Sequence, residues 1–243
     1  MKTEFDRIFS QGLEFLDLEL SSSVRNAFFI FYQLLIEKNK VMNLTAITDL
    51  SQVIYKHFID SLSLVKLGTW ILPDQAQVLD LGTGAGFPGI PLALVFPQVE
   101  FTLVDSLQKR IHFIEESVEK LEIKNIRCCH GRAEDLGREK NYRESFDLCL
   151  SRAVANLSIL SEYCLPFVKI GGDFISFKAL TASQELEDAK KAMDLLGGSF
   201  FRKEDFMLPE GSERSLIQIK KIQNTPGRYP RKAGVPSKSP LGS

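Results

Sequence analysis

No run of apolar residues in this chain approaches the ~20 needed to cross a bilayer as a helix. The start, Met1-Lys2-Thr3-Glu4-Phe5-Asp6, has neither the basic opening nor the apolar core of a secretory signal. Both absences lead us to expect a cytoplasmic protein. Cysteine is sparse: Cys128, Cys129, Cys149 and Cys164 include no C-x-x-C pair. Cys128-Cys129-His130 falls on a predicted strand, where adjacent side chains point to opposite faces and do not easily converge on one ion. Reduced, mostly buried thiols and no metal are expected. Charge of one sign is also lacking overall, with a formal net charge of −1 at pH 7, so bulk electrostatics select no partner. Acidic residues are missing locally, however. From Lys220 to Ser243 there are six basic residues, no acidic ones, and four of the ten prolines. Composition alone makes this a solvated, poorly ordered tail. Against that, Arg228-Tyr229-Pro230-Arg231-Lys232 interleaves an aromatic with cations, a mixture suited to stacking and phosphate contact on RNA.

What is present is ordinary for one sizeable core with a small extension: 243 residues, 44% hydrophobic and 25% charged. Residues 1–68 carry helical periodicity. Ser23 is the expected cap of a helix from Val24 to Lys38, with Ala27, Phe28, Phe31, Leu34 and Leu35 on its inner face. A second helix is expected over Leu50 to Leu67, burying Val53, Ile54, Phe58, Ile59, Leu62 and Val65, and a short one near Phe5 to Phe9. Together they form an N-terminal helical cap. The connector Asn39 to Ile47 offers Asn43 and Thr45 as small polar groups that can face a substrate. His57 and Asp60, three apart on a helix, can touch, and a satisfied structural histidine is the simpler role there.

From Gln77 the pattern changes to alternating strand and helix, which predicts a doubly wound α/β sheet over 69–222, with 223–243 as the basic tail. Strands are expected near 77–81, 100–104, 126–130, 146–151, 172–178, 199–206 and 215–221, and helices near 89–96, 107–121, 154–168 and 181–196. Pro209-Glu210-Gly211-Ser212 is too short for a crossover, so the last two strands pair antiparallel. Ligands of such sheets lie beyond the carboxyl ends of the strands where strand order reverses. That rule selects Gly82 to Phe87, Asp105-Ser106-Leu107, Ala133-Glu134 and Ser151-Arg152-Ala153. Glu134 and Asp135 also read as first-turn acids of a short helix, and Arg152 as a surface ion pair.

The chain is organised around Val78-Leu79-Asp80-Leu81-Gly82-Thr83-Gly84-Ala85-Gly86-Phe87-Pro88-Gly89, a strand followed by a glycine turn and a helix start. Glycine allows positive φ and lets a ligand lie against the main chain, and a helix opening near Gly89 is expected to aim free amides at it. The match to G-x-G-x-x-G is weak by itself. Asp105, 21 positions after Gly84, suits ribose hydroxyls. Asp80 discriminates further: its carboxylate would repel a pyrophosphate and suits a cation. S-adenosylmethionine has an ammonium, a sulfonium and no phosphate. The alternative role for Asp80 is to cap the turn by bonding nearby amides.

These residues together closely resemble the RsmG (GidB) family of bacterial small-subunit rRNA methyltransferases. The likeness runs through Asn43-Leu44-Thr45, His57 to Ser61, Leu79 to Pro91, Val104-Asp105-Ser106, Ser151-Arg152-Ala153, Phe177-Lys178 and Arg228 to Gly234. Gly-Phe-Pro-Gly-Ile-Pro and Tyr-Pro-Arg-Lys are its most specific parts. Ala179 departs from it, standing where the family usually carries glycine. The resemblance implies the class I S-adenosylmethionine-dependent fold, Rossmann-like with a seven-stranded sheet. It also implies methyl transfer from S-adenosyl-L-methionine to N7 of a guanine in 16S rRNA, on free RNA or the small ribosomal subunit, by a monomer. By that resemblance Gly82, Phe87, Asp105, Ser106, Leu107, Ala133, Glu134 and Arg152 contact the cofactor, and the reading of the glycine turn adds Asp80, Gly84 and Gly86. Asn43, Lys178, Arg228, Arg231 and Lys232 face RNA.

Guanine N7 is an in-plane lone pair, so no catalytic base is demanded. Exocyclic adenine amines are usually served by (D/N)-P-P-(Y/F), where this chain has Ser151-Arg152-Ala153-Val154, and Cys149 and Cys164 look structural instead of nucleophilic. Two other readings stay open on sequence: a nicotinamide-dependent oxidoreductase, which leaves Asp80 unexplained, and a non-enzymatic RNA-binding module using the tail.

Overall fold

The computed structural model describes residues 1–68, 72–153, 155–179 and 182–242. At the N-terminus α1 (Lys2–Phe15) buries Phe5, Ile8, Phe9 and Leu13 on one face. It is nine residues longer than the expected Phe5–Phe9 helix, because charged residues continue it along its wet side. α2 (Ser22–Met42) is capped by Ser21 and not by Ser23: Ser21 has extended backbone angles and its hydroxyl accepts the Val24 amide at 3.3 Å. Asn43 ends α2 in the left-handed region, with φ 49° and ψ 53°. Asp49 caps α3, accepting the Gln52 amide at 3.0 Å. This third helix runs without a break through α-helical Leu50–Val53, π-helical Ile54–Ile59, α-helical Asp60–Leu62 and 3₁₀ Ser63–Leu67. Val53, Ile54, Phe58, Ile59 and Leu62 are buried as their spacing requires.

The strands follow the predicted order: β1 (Gln77–Leu81), β2 (Glu100–Asp105), β3 (Ile126–His130), β4 (Phe146–Ser151), β5 (Val168–Lys178), β6 (Gly198–Met207) and β7 (Glu213–Lys221). Their order across the sheet is β3-β2-β1-β4-β5-β7-β6, with β7 antiparallel to both neighbours. The turn at Leu208–Ser212, with Gly211 at φ 93°, makes that last hairpin. Strand order reverses between β1 and β4, which lie side by side in parallel. Helices α4 (Gly89–Val95), α5 (Gln108–Lys120), α6 (Ala133–Leu136), α7 (Leu157–Cys164) and α8 (Ala182–Leu195) connect the strands. The helix expected over 154–168 is shorter: Asn156 caps it and a 3₁₀ turn with Pro166 ends it, so β5 begins at Val168 and not at 172. The expected starts at Val154 and Thr181 lie outside the described residues, as does position 69, where the sheet domain was expected to begin.

One continuous core joins the cap to the sheet. Phe58 sits among Phe5, Phe9, Phe28, Phe31 and Phe87, with ring centroids 5.2 to 6.3 Å away. The same cluster reaches Val78, Phe101, Leu103, Leu148, Leu150 and Ile175 on the sheet. The opposite sheet face has its own core, holding Leu79, Val104, Cys149, Cys164, Phe174 and Ile217. Cys128 and Cys129 are only half-buried, because β3 is an edge strand. Among the described residues no helix is long and apolar enough to cross a membrane.

The C-terminal segment is not a solvated tail. Arg143 donates to the carbonyls of Gly137, Thr225 and Tyr229, Arg138 to those of Arg228 and Pro230, and Tyr229 is buried. Lys221, fully buried, donates to the Leu165 carbonyl at 2.6 Å and pairs with Glu144 at 3.3 Å; burial pushes its ammonium down to about 8. The short helix α9 (Val235–Lys238) packs on α7. Arg138 and Arg143, both between α6 and β4, bind this segment's carbonyls, so its proline-rich composition reports little regular structure, and not lack of order.

Because cap and sheet share a core, Phe58→Ala is expected to lower unfolding free energy by about 3–5 kcal/mol in a single cooperative transition. Denaturant titration followed by fluorescence and circular dichroism checks this; two separate transitions would show an independently folded cap.

Candidate cofactor and substrate site

The site begins with a buried acid at the end of β1. Asp80 is wholly inaccessible; its Oδ2 accepts the Thr83 hydroxyl at 2.6 Å and the Gly89 amide at 2.8 Å, while Oδ1 has no partner. Burial pushes its carboxyl up to about 6, against the lowering pull of those two donors and of Arg152. The turn-capping role weighed for Asp80 is therefore realised by one oxygen, and the other is left unsatisfied. Gly89 does not present a free amide, since its N–H goes to Asp80, and those of Ile90 and Leu92 go to the carbonyls of Gly86 and Pro88. The expected amide cradle at this helix start is corrected accordingly.

Gly82 and Gly84 carry the open part of the turn. They have φ of 74° and 64°, and a Cβ on Gly84 would meet nothing within 4 Å. Gly86 differs: a Cβ there would lie 2.4 Å from Ile90 Cδ1, so this glycine serves close packing. Phe87 also turns inward, buried between His57, at 4.7 Å and stacked, and Phe31 at 5.3 Å. Gly86 and Phe87 thus support the loop from behind, and neither lines the cavity in front of it.

That cavity, about 270 Å³, opens at the carboxyl ends of β1, β2 and β4 and is lined by Gly82, Asp105, Ser106, Ala133, Glu134 and Ser151, with Leu160 and Tyr163 from α7. Asp105 is held from several sides: Oδ2 accepts the Gly84 amide at 3.0 Å and Arg110 at 3.2 Å, and Oδ1 accepts the Leu107 amide at 2.9 Å. Leu107 acts through its main chain and exposes its side chain. Glu134, buried on α6, accepts the Gly234 amide at 2.9 Å.

A wider cleft of about 650 Å³ adjoins it at Ala153 and Ala155. Among the described residues, Lys56, Arg152, Lys178 and Arg214 line it with Asp60 and Glu185 as its acids, so it is cationic. Asp60 accepts Arg152 on Oδ2 and Arg214 on Oδ1, both at 3.0 Å. The His57–Asp60 contact allowed by spacing is replaced by these two guanidinium bonds. Arg152 also lies 5.1 Å over the Phe87 ring and donates to His57 Nδ1 at 3.3 Å. Arginine has no acceptor, so the proton of His57 is on Nε2, which donates to Thr45 Oγ1 at 2.9 Å. Burial, with Arg152 and Arg214 nearby, holds His57 down at about 3. It is a neutral, satisfied histidine, unsuited to taking a proton at neutral pH by charge change. Arg152 belongs to this cleft and borders the smaller cavity without lining it.

Lys178 also lines the cleft but is bound to the Ala155 carbonyl and to Glu185 at 2.7 Å. Asn43 is exposed beyond the α2 end. Of the tail residues, Arg228 and Lys232 are exposed, whereas Arg231 holds buried Glu162 through Nε, Nη2 and its own amide at 2.6 to 3.1 Å. Arg231 is an anchor. Lys56, Tyr163 and Arg214 were not singled out from sequence. Arg214 lies in the β6–β7 hairpin, far from every motif, and only the sheet order carries it to Asp60.

A family model described as rRNA small subunit methyltransferase G (GidB) matches residues 25–209. Proteins named ribosomal RNA small subunit methyltransferase G from Lachnoclostridium phytofermentans, Geobacillus sp. and Lactococcus lactis subsp. cremoris are 50%, 49% and 45% identical, each over 234 residues. Those matches cover 96% of this chain and 96%, 98% and 98% of the relatives. Among solved structures, the YcgJ protein of Bacillus subtilis is similar with a TM-score of 0.53 at 15% identity, covering 69% of this chain and 100% of that one. TYW2 of M. jannaschii, solved in complex with AdoMet, gives 0.53 at 16% identity, covering 67% and 77%. At such identities the structural likenesses speak to the fold, a class I methyltransferase sheet with its antiparallel final hairpin. Matched by that model over most of its length and by those relatives nearly from end to end, the chain belongs to the rRNA small subunit methyltransferase G family.

Proposed function

We propose that this chain transfers the methyl group of S-adenosyl-L-methionine to N7 of a guanine in 16S rRNA, as a cytoplasmic monomer acting on free RNA or the small ribosomal subunit. The observation that carries the reading is the Asp80 carboxylate at the turn where strand order reverses, one of whose oxygens has no hydrogen-bond partner among the described residues. The carboxylate's charge at this turn attracts a nearby ammonium and repels a pyrophosphate, which favours this cofactor over a nicotinamide dinucleotide. The open face of Gly82 and Gly84 leaves room for a chain of methionine size, and Asp105, Ser106, Ala133 and Glu134 line the rest of the cavity.

When bound, the cofactor supplies an electrophilic methyl on a sulfonium. The protein's part is to position and to exclude water. Asp105, preset by three donors, would take ribose hydroxyls. Glu134 and the adjacent main chain would face the base. The cationic cleft beyond Ala153 and Ala155 would take phosphates of the RNA, bringing N7 in line with the methyl. Such alignment contributes up to ~7–11 kcal/mol. Because N7 carries a free lone pair, a neutral His57 serves: its work is to fix Arg152 and Thr45, not to remove a proton. Exposed Arg228, Lys232 and Asn43 extend the RNA surface, and Lys178 contributes its charge from the cleft wall.

Three outcomes are expected. In thermal shift, S-adenosylhomocysteine stabilises the protein and NADH does not; the reverse overturns the cofactor assignment, and tight rRNA binding without transfer of labelled methyl favours a binding module. Second, Asp80 is raised in the folded state, so the apoprotein's stability from this group is present below about pH 4 and lost as pH rises through about 6. Ligand affinity has the opposite sign, rising through about pH 6 as the carboxylate ionises. Asp80→Asn should flatten both profiles and weaken ligand binding, as calorimetry across pH would register. Third, Arg228→Ala with Lys232→Ala should spare cofactor affinity and reduce the salt slope of RNA binding by about two, whereas Arg231→Ala, which strands buried Glu162, should cost about 3–5 kcal/mol of stability. Equal effects of the two variants on stability would refute that division of labour.

A further inference from the structure

The C-terminal segment reaches the wall of the small cavity. Its Gly234 amide donates to Glu134, a lining residue, at 2.9 Å. Pro230 packs on Gly137, immediately after α6: a Cβ on Gly137 would lie 3.1 Å from Pro230 Cγ. Arg138, next along, is tied to the carbonyls of Arg228 and Pro230. Arg231 clamps Glu162 on α7, the helix that supplies Leu160 and Tyr163 to the same cavity. Two cavity walls, α6 and α7, are thus fastened by one stretch of chain. On its outer side that stretch exposes Arg228 and Lys232.

From this geometry we infer that the segment from Arg228 to Lys238 is a positioning strap, with the Gly234 amide setting the orientation of Glu134, and that RNA bound on its outer cations changes cofactor affinity. The inference rests on the function proposed above. Glu134 sits on a single helical turn, where its carboxylate is held by the Gly234 amide on one side and by the Tyr163 hydroxyl on the other, so the strap sets one of its two anchors. The Gly234 donor belongs to a segment whose other face carries the exposed cations. RNA contact that immobilises the strap therefore immobilises Glu134, and less ordering remains for the cofactor to impose. By linkage the effect is reciprocal: cofactor must tighten RNA by the same factor. The sign is positive, since both ligands favour the same docked strap.

The test measures the dissociation constant of S-adenosylhomocysteine by calorimetry, with and without a 16S rRNA fragment. For the wild type, RNA should tighten the ligand by about fivefold or more, the lower end of ordinary coupling between sites. Gly234→Pro, which removes the amide hydrogen and cannot keep the native φ of 80°, so that it undocks the strap at this point, should weaken the ligand without RNA and lose the RNA effect. Gly234→Ala keeps the N–H and should retain part of it. Unchanged affinity in Gly234→Pro, or identical wild-type affinities with and without RNA, overturns the strap. Failure of the wild type to bind the ligand at all would instead overturn the proposed function. Should Gly234→Pro not fold, tryptic cleavage of the wild type after Arg228 and Lys232 decides: saturating S-adenosylhomocysteine should slow it, and an unchanged rate sinks the inference.

Discussion

The bond between Asp80 Oδ2 and the Gly89 amide fixes the distance from the end of β1 to the start of α4. Everything on the ligand side of the sheet depends on that short span. With Thr83 bound to the same oxygen, the intervening loop closes on itself, turning Gly82 and Gly84 outward and Gly86 and Phe87 inward. Phe87 then meets His57, and through it the loop is registered against the cap. A buried carboxylate is costly, as its upward displacement shows, and a fold keeps such a group where something else compensates it.

A second constraint is Asp60, which receives one guanidinium from the loop after β4 and one from the final hairpin. Three distant pieces of chain meet at one carboxylate. Removal of any partner would leave a charge in a largely dry place, so the arrangement is fixed more by the penalty for breaking it than by the net gain in making it. His57 and Thr45 complete the chain of contacts, and the cleft inherits a definite shape and an excess of positive charge.

Much of this could be read from sequence. Strand positions and the final hairpin followed from alternating periodicity and one short turn at Pro209-Glu210-Gly211-Ser212. Gly82, Asp105, Ser106, Ala133 and Glu134 came from the rule that ligands lie beyond strand ends, and they do share a cavity. Sequence failed where a side chain's direction mattered. Gly86 and Phe87 lie in the motif but face inward, and Arg231 lies in a basic stretch but is held by Glu162, sixty-nine residues away. Arg214 and Tyr163 carry no local signal, because only tertiary pairing brings them near. The tail's order was hidden for the same reason: its partners, Arg138, Arg143 and Glu144, look like ordinary surface charges until the chain folds back over them.

The cap's phenylalanines continue into the sheet without a seam. A lid that swings must have a boundary along which two cores part, and among the described residues there is none between the N-terminal helices and β1. The mouth of the cleft is therefore rigid on that side. On the proposed function, adaptation falls to the nucleic acid, which would have to present a guanine splayed from its own stack, so a nucleotide already unpaired in a loop enters at the least cost.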